Sequence, residues 1–353
     1  ARLAGAGEFT QRAFLAGKID LTQAEAVGDL IAAQTLDQAR VAAQQMGGAM
    51  ARRVAPAKGE LLHLIALLEA GMDFASGELD DVEIVPPTQI AAEIAGVEGP
   101  LVALAASFRR GQLLRNGAAM ALIGPANAGK SSLFNRLLER ERAIVTPLPG
   151  TTRDTVEESV ALGGVPLRLI DTAGLRGDSG VDVAEMQGIL RSREALADAD
   201  LVLLVHDATA EWTEGEREVA AGLREAGVER PHLVVWNKVD LLAEGALVPA
   251  GVIGTSALTG AGMEELRGAI LEQLGAAGAL AESGALNTLR QQEAVEATLA
   301  ALRDAAAANE ARLPHEIILM DLHRGLRALD SLTGATTPDD ILARIFSTFC
   351  IGK

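Results

Sequence analysis

The residues best suited to chemistry form the segment Gly124–Ser131, which reads GPANAGKS. This spacing is typical of a phosphate-binding loop, in which backbone N–H groups wrap a β-phosphate at a helix N-terminus. Lys130 would reach the β- and γ-phosphates, and Ser131 would hold magnesium. The apolar run Ala119–Ile123 precedes the loop and the helix-like segment Ser132–Glu139 follows it. The strand–loop–helix context favours a nucleotide-binding loop over a glycine-rich turn that matches by chance.

A second motif, Asn237-Lys238-Val239-Asp240, follows another apolar run and would select the base. The Asp240 carboxylate can accept both the N1–H and the exocyclic N2–H₂ of guanine, whereas adenine would leave it unpaired. Asn237 would tie this loop to the phosphate loop, and the stem of Lys238 would cover the base. Ser256-Ala257 fits a further loop that backs the guanine.

Between these motifs, the segment Asp171–Gly174 reads DTAG and ends a strand-like run. Asp171 would hold the magnesium shell through water, and the Gly174 N–H would meet the γ-phosphate, so this turn can sense hydrolysis. Upstream, Gly150–Asp154 reads GTTRD and offers a threonine to complete the magnesium site. These elements, in this order, predict a GTPase domain.

The catalytic position differs from that of Ras-like GTPases, where a glutamine after DTAG orients the attacking water. Leu175 stands there and cannot do this, so another group must position the water. Asn127, with carbonyls from the Thr146–Thr151 loop, could hold a monovalent cation beside the phosphates. Asn127 could equally be a turn residue that tolerates an unusual backbone angle, and its residue type leaves both readings open.

Helical patterns flank the nucleotide-binding stretch on both sides. Residues 22–116 are largely helical in pattern, and Thr22 with Glu25 predicts a capping box at a helix start. Residues 70–87 contain glycines, prolines and acids and are predicted to be a loop. Residues 285–353 are helical in pattern again.

The middle of the chain, residues 117–274, alternates strand-like and helix-like segments, and 275–284 is a linker of small residues. The predicted fold is therefore a Ras-like, doubly wound α/β P-loop GTPase domain inserted into a discontinuous all-α helical domain. Within the second helical stretch, leucines recur every three or four residues, which predicts the seam of a helical bundle. They are Leu319, Leu322, Leu326 and Leu329.

The net charge, cysteine content and apolar runs of the chain restrict the kinds of partner and location to be expected. The net charge of −17 at pH 7 argues against a broad basic surface, so a nucleic acid would need a local patch or a partner protein. The single cysteine, Cys350, excludes an internal disulfide and suits a cytoplasmic location. No signal peptide and no unbroken run of about 18 apolar residues is present, so we expect no membrane partner.

The chain resembles the MnmE (TrmE) family of tRNA-modifying GTPases. Three segments carry the resemblance: GEFTQRAFLAGKIDL at Gly7–Leu21, which continues into Thr22–Ile31; IFSTFCIGK at Ile345–Lys353; and the asparagine-bearing phosphate loop with its GTTRD. In that family a folate-binding domain precedes GEFT. Residues 1–21 are therefore interpreted as the end of that domain, and the chain as a fragment.

The resemblance implies a role for each matching residue. Magnesium would be held by Ser131 and Thr152, and potassium by Asn127, Thr146, Leu148 and Thr151. The catalytic residue would be Glu185, and the folate pocket would use Lys18 and Lys353. The residues expected to bind GTP are Asn127, Ala128, Gly129, Lys130, Ser131, Ser132, Thr146, Thr151, Thr152, Asp171, Thr172, Ala173, Gly174, Asn237, Lys238, Asp240, Ser256 and Ala257.

The resemblance also implies the reaction. GTP hydrolysis that depends on potassium would be coupled to carboxymethylaminomethyl or aminomethyl modification at C5 of the wobble uridine in tRNA. The flavoprotein MnmG (GidA) would be the partner, and tRNA would bind through that complex. The full-length protein would be a homodimer that binds 5,10-methylene- or 5-formyl-tetrahydrofolate. The alternatives are a ribosome-assembly GTPase of the Era or Der type and a degenerate GTPase domain that serves as a scaffold.

Overall fold

The structure is a computed structural model that describes residues 2–75, 85–138, 159–170, 199–214, 216–217, 220, 231–243, 245–276 and 284–335. The chain divides into two compact units. The first comprises Ala1–Ala33, Gln38–Gln112 and Leu280–Lys353, and the second comprises Gln34–Asp37 and Leu113–Ala279. Both helical stretches that the sequence predicts thus contribute to one unit.

Helices and strands are numbered along the described residues. The helices are α1 (Glu8–Leu15), α2 (Leu21–Ala32), α3 (Leu36–Met46), α4 (Ala49–Ala75), α5 (Pro87–Ala106), α6 (Phe108–Asn116), α7 (Lys130–Leu138), α8 (Met263–Leu274), α9 (Leu289–Glu310) and α10 (His315–Thr333). The strands are β1 (Ala118–Ile123), β2 (Ser159–Leu162), β3 (Val165–Ile170), β4 (Leu201–Asp207), β5 (His232–Asn237) and β6 (Val252–Gly254).

Helices α4, α5, α9 and α10 pack together and build the core of the first unit. The predicted leucine seam on α10 is confirmed, because Leu319, Leu322 and Leu329 are buried and Leu326 packs against them. Burial of such side chains is the main favourable contribution to folding. The bundle therefore has one apolar interior shared by residues from both ends of the chain.

The segment Pro87–Asn116 is long and apolar enough to cross a membrane by length and composition. Two glutamates, Glu93 and Glu98, interrupt its apolar sequence. Five of its large apolar side chains are buried in the bundle core, namely Ile90, Ile94, Val97, Leu101 and Leu104, whereas Val102 is exposed. A core helix of this kind passes the same test of length and composition.

Two expectations for the first unit are wrong. The capping box of α2 is formed by Asp20 and Gln23, since the Asp20 side chain accepts the Gln23 N–H and the Gln23 side chain accepts the Asp20 N–H. Thr22 instead donates to Asp20, at 2.6 Å. The predicted loop at 70–87 is also too long, because α4 continues to Ala75 and α5 begins at Pro87.

The second unit contains a six-stranded sheet in the order β2-β3-β1-β4-β5-β6. Strands β3, β1, β4, β5 and β6 are parallel, and β2 pairs antiparallel with β3 through a turn at Gly163-Gly164. Both turn glycines have positive φ, at 55° and 85°, which is what a two-residue hairpin turn requires. The sheet is the predicted P-loop α/β architecture, with an antiparallel edge strand.

Candidate nucleotide-binding site

The predicted phosphate loop leaves the carboxyl end of β1, which lies between β3 and β4 in the sheet. The strand order reverses at β1, and such a switch point is where open α/β sheets bind ligands. Helix α7 begins at Lys130, two residues before the predicted start. The N-terminus of α7 therefore directly follows the loop.

Three residues of the loop have backbone angles that fix its shape. Gly124 has φ 154°, and a Cβ there would lie 2.0 Å from the Val205 carbonyl oxygen. Gly129 has φ 85°, and a Cβ there would lie 2.3 Å from Nδ2 of Asn237. Asn127 has φ 65°, an angle that asparagine tolerates better than most residues. This angle agrees with the interpretation of Asn127 as a turn residue and leaves its side chain available for the cation interpretation.

The side chain of Lys130 turns back over the loop. Its ammonium donates to the carbonyl oxygens of Gly124 and Pro125, at 2.7 Å each. Burial lowers the pKa of Lys130, and the negative charge of Glu216 opposes that shift. A partly dehydrated ammonium gains more from an anionic ligand than one in bulk water does. The ammonium of Lys130 therefore lies at the phosphate loop itself.

Asn237 joins three loops. Its side-chain Nδ2 donates to the Ala128 carbonyl oxygen at 3.0 Å, and its Oδ1 accepts the Ala257 N–H at 3.1 Å. The residue is 1% exposed, so these hydrogen bonds satisfy a buried amide. The tie between the base loop and the phosphate loop, which the sequence predicts, is present. Because Asn237 also bonds to Ala257, the third predicted loop is brought to the same place.

Replacing Gly129 with alanine should disturb this junction. The added Cβ meets Asn237 at the close distance given above, and φ 85° is strained for alanine. We expect the Gly129→Ala variant to lose about 1–3 kcal/mol of unfolding free energy, measured by urea denaturation.

The matched control is Gly268→Ala, on the exposed face of α8, where a Cβ would meet nothing within 4 Å. This control should be neutral or slightly stabilising, since alanine replaces glycine inside a helix. Equal effects of the two substitutions would show that the junction does not restrict Gly129.

The base loop continues past Asn237 into a short 3₁₀ helix, Val239–Leu241. Lys238, at its start, has φ 64°, and its ammonium donates to the carboxylate of Asp207 at 2.6 Å. Asp240 lies in the first turn of the 3₁₀ helix and is exposed. The Val239 N–H donates to the Thr255 carbonyl oxygen at 3.1 Å, which holds this loop against the residue before Ser256.

A buried cluster at the end of β4 is a feature that the sequence did not reveal. His206 is 1% exposed; its Nδ1 lies 2.8 Å from Oε1 of Glu216, and its Nε2 lies 3.1 Å from the Ala210 carbonyl oxygen. The ring centroid lies 5.1 Å from that of Trp212, in a stack, and 5.5 Å from that of Trp236.

The hydrogen bonds of this cluster keep Glu216 charged. Burial raises the pKa of Glu216, but hydrogen bonds, including that of His206, outweigh this effect and hold the pKa below its ordinary value. Glu216 is therefore a carboxylate. The two ring nitrogens of His206 lie against two oxygen atoms, one from the Glu216 carboxylate and one from the Ala210 carbonyl group. His206 and Trp236 are paired in the β4–β5 register, so only the fold brings them together.

Many predicted site residues lie outside the described part of the chain: Thr146, Leu148, Thr151, Thr152, Asp171, Thr172, Ala173, Gly174, Glu185 and Lys353. Lys18 is described and exposed, after α1. The described set that the fold brings to the loop edge of the sheet consists of Asn127, Ala128, Gly129, Lys130, Ser131, Ser132, Asn237, Lys238, Asp240, Ser256 and Ala257.

A glycine loop at the switch point, tied through an asparagine to a base loop, defines a P-loop GTPase domain, here in a chain that also builds a helical bundle. The family model described as the MnmE helical domain matches residues 21–350. The chain belongs to the MnmE family of tRNA modification GTPases, and it is a GTPase.

Two relatives, both named tRNA modification GTPase MnmE, illustrate this membership. The protein from Koribacter versatilis is 54% identical over 100% of this chain and 76% of its own length. The protein from Aquifex aeolicus is 40% identical over 100% of this chain and 78% of its own length. The alternative of an Era- or Der-type GTPase is therefore wrong.

Solved structures give weaker similarity. A variant of Era from Aquifex aeolicus, bound to GDP.AlF4−, is 25% identical over 52% of this chain and 66% of that chain, with a TM-score of 0.33. The G domain of the T. maritima FeoB iron transporter is 29% identical over 44% of this chain and 98% of that chain, with a TM-score of 0.30. TM-scores this low support no conclusion about the function of this chain.

Proposed function

We propose that this chain hydrolyses GTP in a potassium-dependent reaction that is coupled to modification of the wobble uridine of tRNA at C5. The added group is carboxymethylaminomethyl or aminomethyl. The observation that carries the proposal is whole-chain similarity to a tRNA modification GTPase, 54% identical over 100% of this chain. A degenerate scaffold is disfavoured because Lys130, Asn237 and Asp240 are all retained.

In the proposed reaction, water attacks the γ-phosphorus, and the bond to the β–γ bridging oxygen breaks to leave GDP and phosphate. Lys130 contacts the β- and γ-phosphates. Glu185 orients the water, since Leu175 cannot. Asp240 accepts the guanine N–H groups, and Asn237 keeps the base loop at a fixed distance from the phosphate loop through its bond to Ala128.

The cations would be held by residues around the phosphate loop. Magnesium would be bound by Ser131 and Thr152, and potassium by Asn127, Thr146, Leu148 and Thr151. Asn127 fits this role: it is exposed, and within the described residues its side chain makes no hydrogen bond that would occupy its amide oxygen. Bound cations would neutralise the charge that develops on the phosphates.

The remaining parts of the proposal concern partners. Two GTPase domains would meet face to face, and the flavoprotein MnmG (GidA) would complete the modification centre and bring the tRNA. In the full-length homodimer, Lys18 and Lys353 would contact 5,10-methylene- or 5-formyl-tetrahydrofolate. The net charge of −17 supports tRNA binding through a complex rather than through a broad basic surface of this chain. A cytoplasmic location agrees with the single cysteine.

The test compares GTP hydrolysis in potassium chloride and sodium chloride at matched ionic strength, over a range of protein concentrations. We expect potassium to raise the rate by about tenfold or more, because a cation beside the phosphates replaces the charge of an arginine finger. The stimulation should grow with protein concentration if GTPase domains pair.

Two asparagine variants locate the cation. Asn127→Ala should lose the stimulation, and Asn135→Ala, at an exposed position on α7, should keep it. Retained stimulation in Asn127→Ala would contradict the assignment of the cation to this loop. Equal rates in both salts, at every concentration and also in a chain extended to the full length of its relatives, would contradict potassium dependence itself.

A further inference from the structure

We infer that Asp207 is a positioning residue for guanine: it acts through Lys238, whose side chain it fixes across the place of the base. This inference rests on the proposed GTP-binding function and adds to it a residue outside the sequence motifs. Asp207 does not itself contact the nucleotide.

The fold places Asp207 next to the base loop. Asp207 is the last residue of β4, and the parallel β4–β5 register pairs it with Asn237, the first residue of the NKVD motif. The Ala208 N–H donates to the Asn237 carbonyl oxygen at 2.9 Å, so the two strand ends remain joined beyond the sheet. Lys238 therefore starts from a backbone that is fixed against the Asp207 strand.

The Asp207 carboxylate is held on both oxygens. Oδ2 accepts the Lys238 ammonium at 2.6 Å. Oδ1 accepts the backbone N–H of Thr209 at 3.0 Å and its hydroxyl at 2.7 Å. With both oxygens engaged, the carboxylate cannot rotate freely, so the direction in which it draws the ammonium is set by the β4 strand end.

The carboxylate stays charged in any ordinary assay. Burial raises the pKa of Asp207, but the hydrogen bonds from Lys238 and Thr209 outweigh this effect and lower the pKa to about 2. A charged acceptor paired with an ammonium gives a stronger hydrogen bond than a neutral one.

The other end of Lys238 is fixed as well. Its φ of 64° is in the left-handed region, which is unfavourable for a residue with a long side chain, and its carbonyl oxygen accepts the Leu241 N–H at 3.0 Å. A side chain anchored at its backbone and at its ammonium presents its methylenes as a fixed apolar strip. Such a strip is what a stacked base requires, and it loses little rotamer freedom when the base binds.

A purely structural ion pair would behave differently. The Lys238 and Asp207 side chains are 32% and 17% exposed, and pairs near the surface contribute little to unfolding free energy. A structural role thus predicts a small loss of stability and no specific effect on guanine. A positioning role predicts a loss of affinity for every guanine nucleotide.

The experiment measures the dissociation constant of GDP for the wild-type chain, for Asp207→Asn, and for the control Glu211→Gln at an exposed acid nearby. Intrinsic fluorescence gives the readout: the chain has two tryptophans and no tyrosine, and Trp236 directly precedes Asn237. We expect Asp207→Asn to weaken GDP binding by about tenfold, the size of a lost charge-assisted hydrogen bond, and Glu211→Gln to change nothing.

Kinetics and a double substitution separate positioning from other roles. In Asp207→Asn, KM for GTP should rise while kcat stays within about twofold, because base contacts are the same in ground state and transition state. Lys238→Met keeps an apolar stem but cannot pair with Asp207. In that background, Asp207→Asn should cause no further loss of GDP affinity.

The outcomes are distinct. Unchanged GDP affinity in Asp207→Asn, or an equal loss in the Lys238→Met background, overturns the positioning role. A wild-type chain that binds ADP as tightly as GDP overturns the proposed function instead.

Discussion

The Asp240→Asn variant is expected to lose GTP as a substrate and to accept xanthosine triphosphate. Guanine presents two N–H donors to the Asp240 carboxylate, whereas an asparagine amide turns a donor toward the guanine amino group. Xanthine carries an oxygen in place of that amino group, so the amide of asparagine can donate to it. Sites that lose a matched polar partner discriminate by about 10⁴-fold or more, and we expect kcat/KM for GTP to fall by about 10³–10⁵-fold.

The structure supports this expectation through the rigidity of the loop that carries Asp240. Its 3₁₀ helix begins at Val239, whose N–H donates to the Thr255 carbonyl oxygen. The side chain of Asn237, two residues earlier, is hydrogen-bonded to the backbone of Ala128 and Ala257. A substituted side chain therefore stays at the same place. Glu272→Gln, an exposed acid on α8, is the matched control and should keep GTP specificity. Equal hydrolysis of GTP by Asp240→Asn and by this control would exclude Asp240 as the base selector.

The phosphate loop and the sheet could be predicted from the sequence because each of them leaves a local pattern of residue types along the chain. Gly124 and Gly129 stand where no Cβ fits, and Lys130 stands at the helix start. The strands follow from short apolar runs. The tie from Asn237 to the phosphate loop spans 109 positions, yet it could be predicted because both loops carry recognisable motifs.

Contacts that involve a residue outside the motifs could not be predicted. Asp207 and Lys238 are 31 positions apart and meet only because β4 pairs with β5 in one register. In the cluster around His206, the contact with Trp236 depends on the same register. The end of α4 could not be predicted for a related reason. Gly71 weakens the helix locally, but packing in the bundle core, where Leu64 and Leu68 are fully buried, stabilises it.

The capping box of α2 shows how a local pattern can be misread. Thr22 and Glu25 have the required spacing, but Asp20 and Gln23 have it too, two residues earlier. The second pair forms the cap, which leaves Glu25 inside the helix, where it faces the bundle. There it makes an ion pair with Arg290, a residue 265 positions away.

This buried pair leads to the second large expectation, a strong destabilisation of the helical unit by Glu25→Gln. Both oxygens of Glu25 accept from Arg290, at 2.8 and 2.9 Å, and Oε2 also accepts from Gln291 at 2.9 Å. Arg290 donates in addition to the carbonyl oxygens of Ser331 and Leu332, at the end of α10. One guanidinium thus joins α2, α9 and α10.

Removing the charge of Glu25 leaves the Arg290 guanidinium largely buried without its counter-ion, since its side chain is 19% exposed. Breaking a buried pair from one side costs about 3–5 kcal/mol. We expect a loss of that size in the unfolding free energy, about 3 kcal/mol or more, for Glu25→Gln. Arg290→Lys should also destabilise, because an ammonium cannot donate in the same forked geometry.

The matched control is Glu8→Gln, which breaks the pair of Glu8 with Arg2, also made through two hydrogen bonds but with the Arg2 side chain 72% exposed. Circular dichroism at the helical band should follow the bundle, and fluorescence should follow the GTPase unit, since both Trp212 and Trp236 lie there. Glu25→Gln should shift the unfolding transition seen by circular dichroism far more than the one seen by fluorescence, and Glu8→Gln should shift neither. If Glu25→Gln and Glu8→Gln gave equal, small shifts, the Arg290 network would not stabilise the bundle, and the close packing of its apolar side chains would have to do so alone.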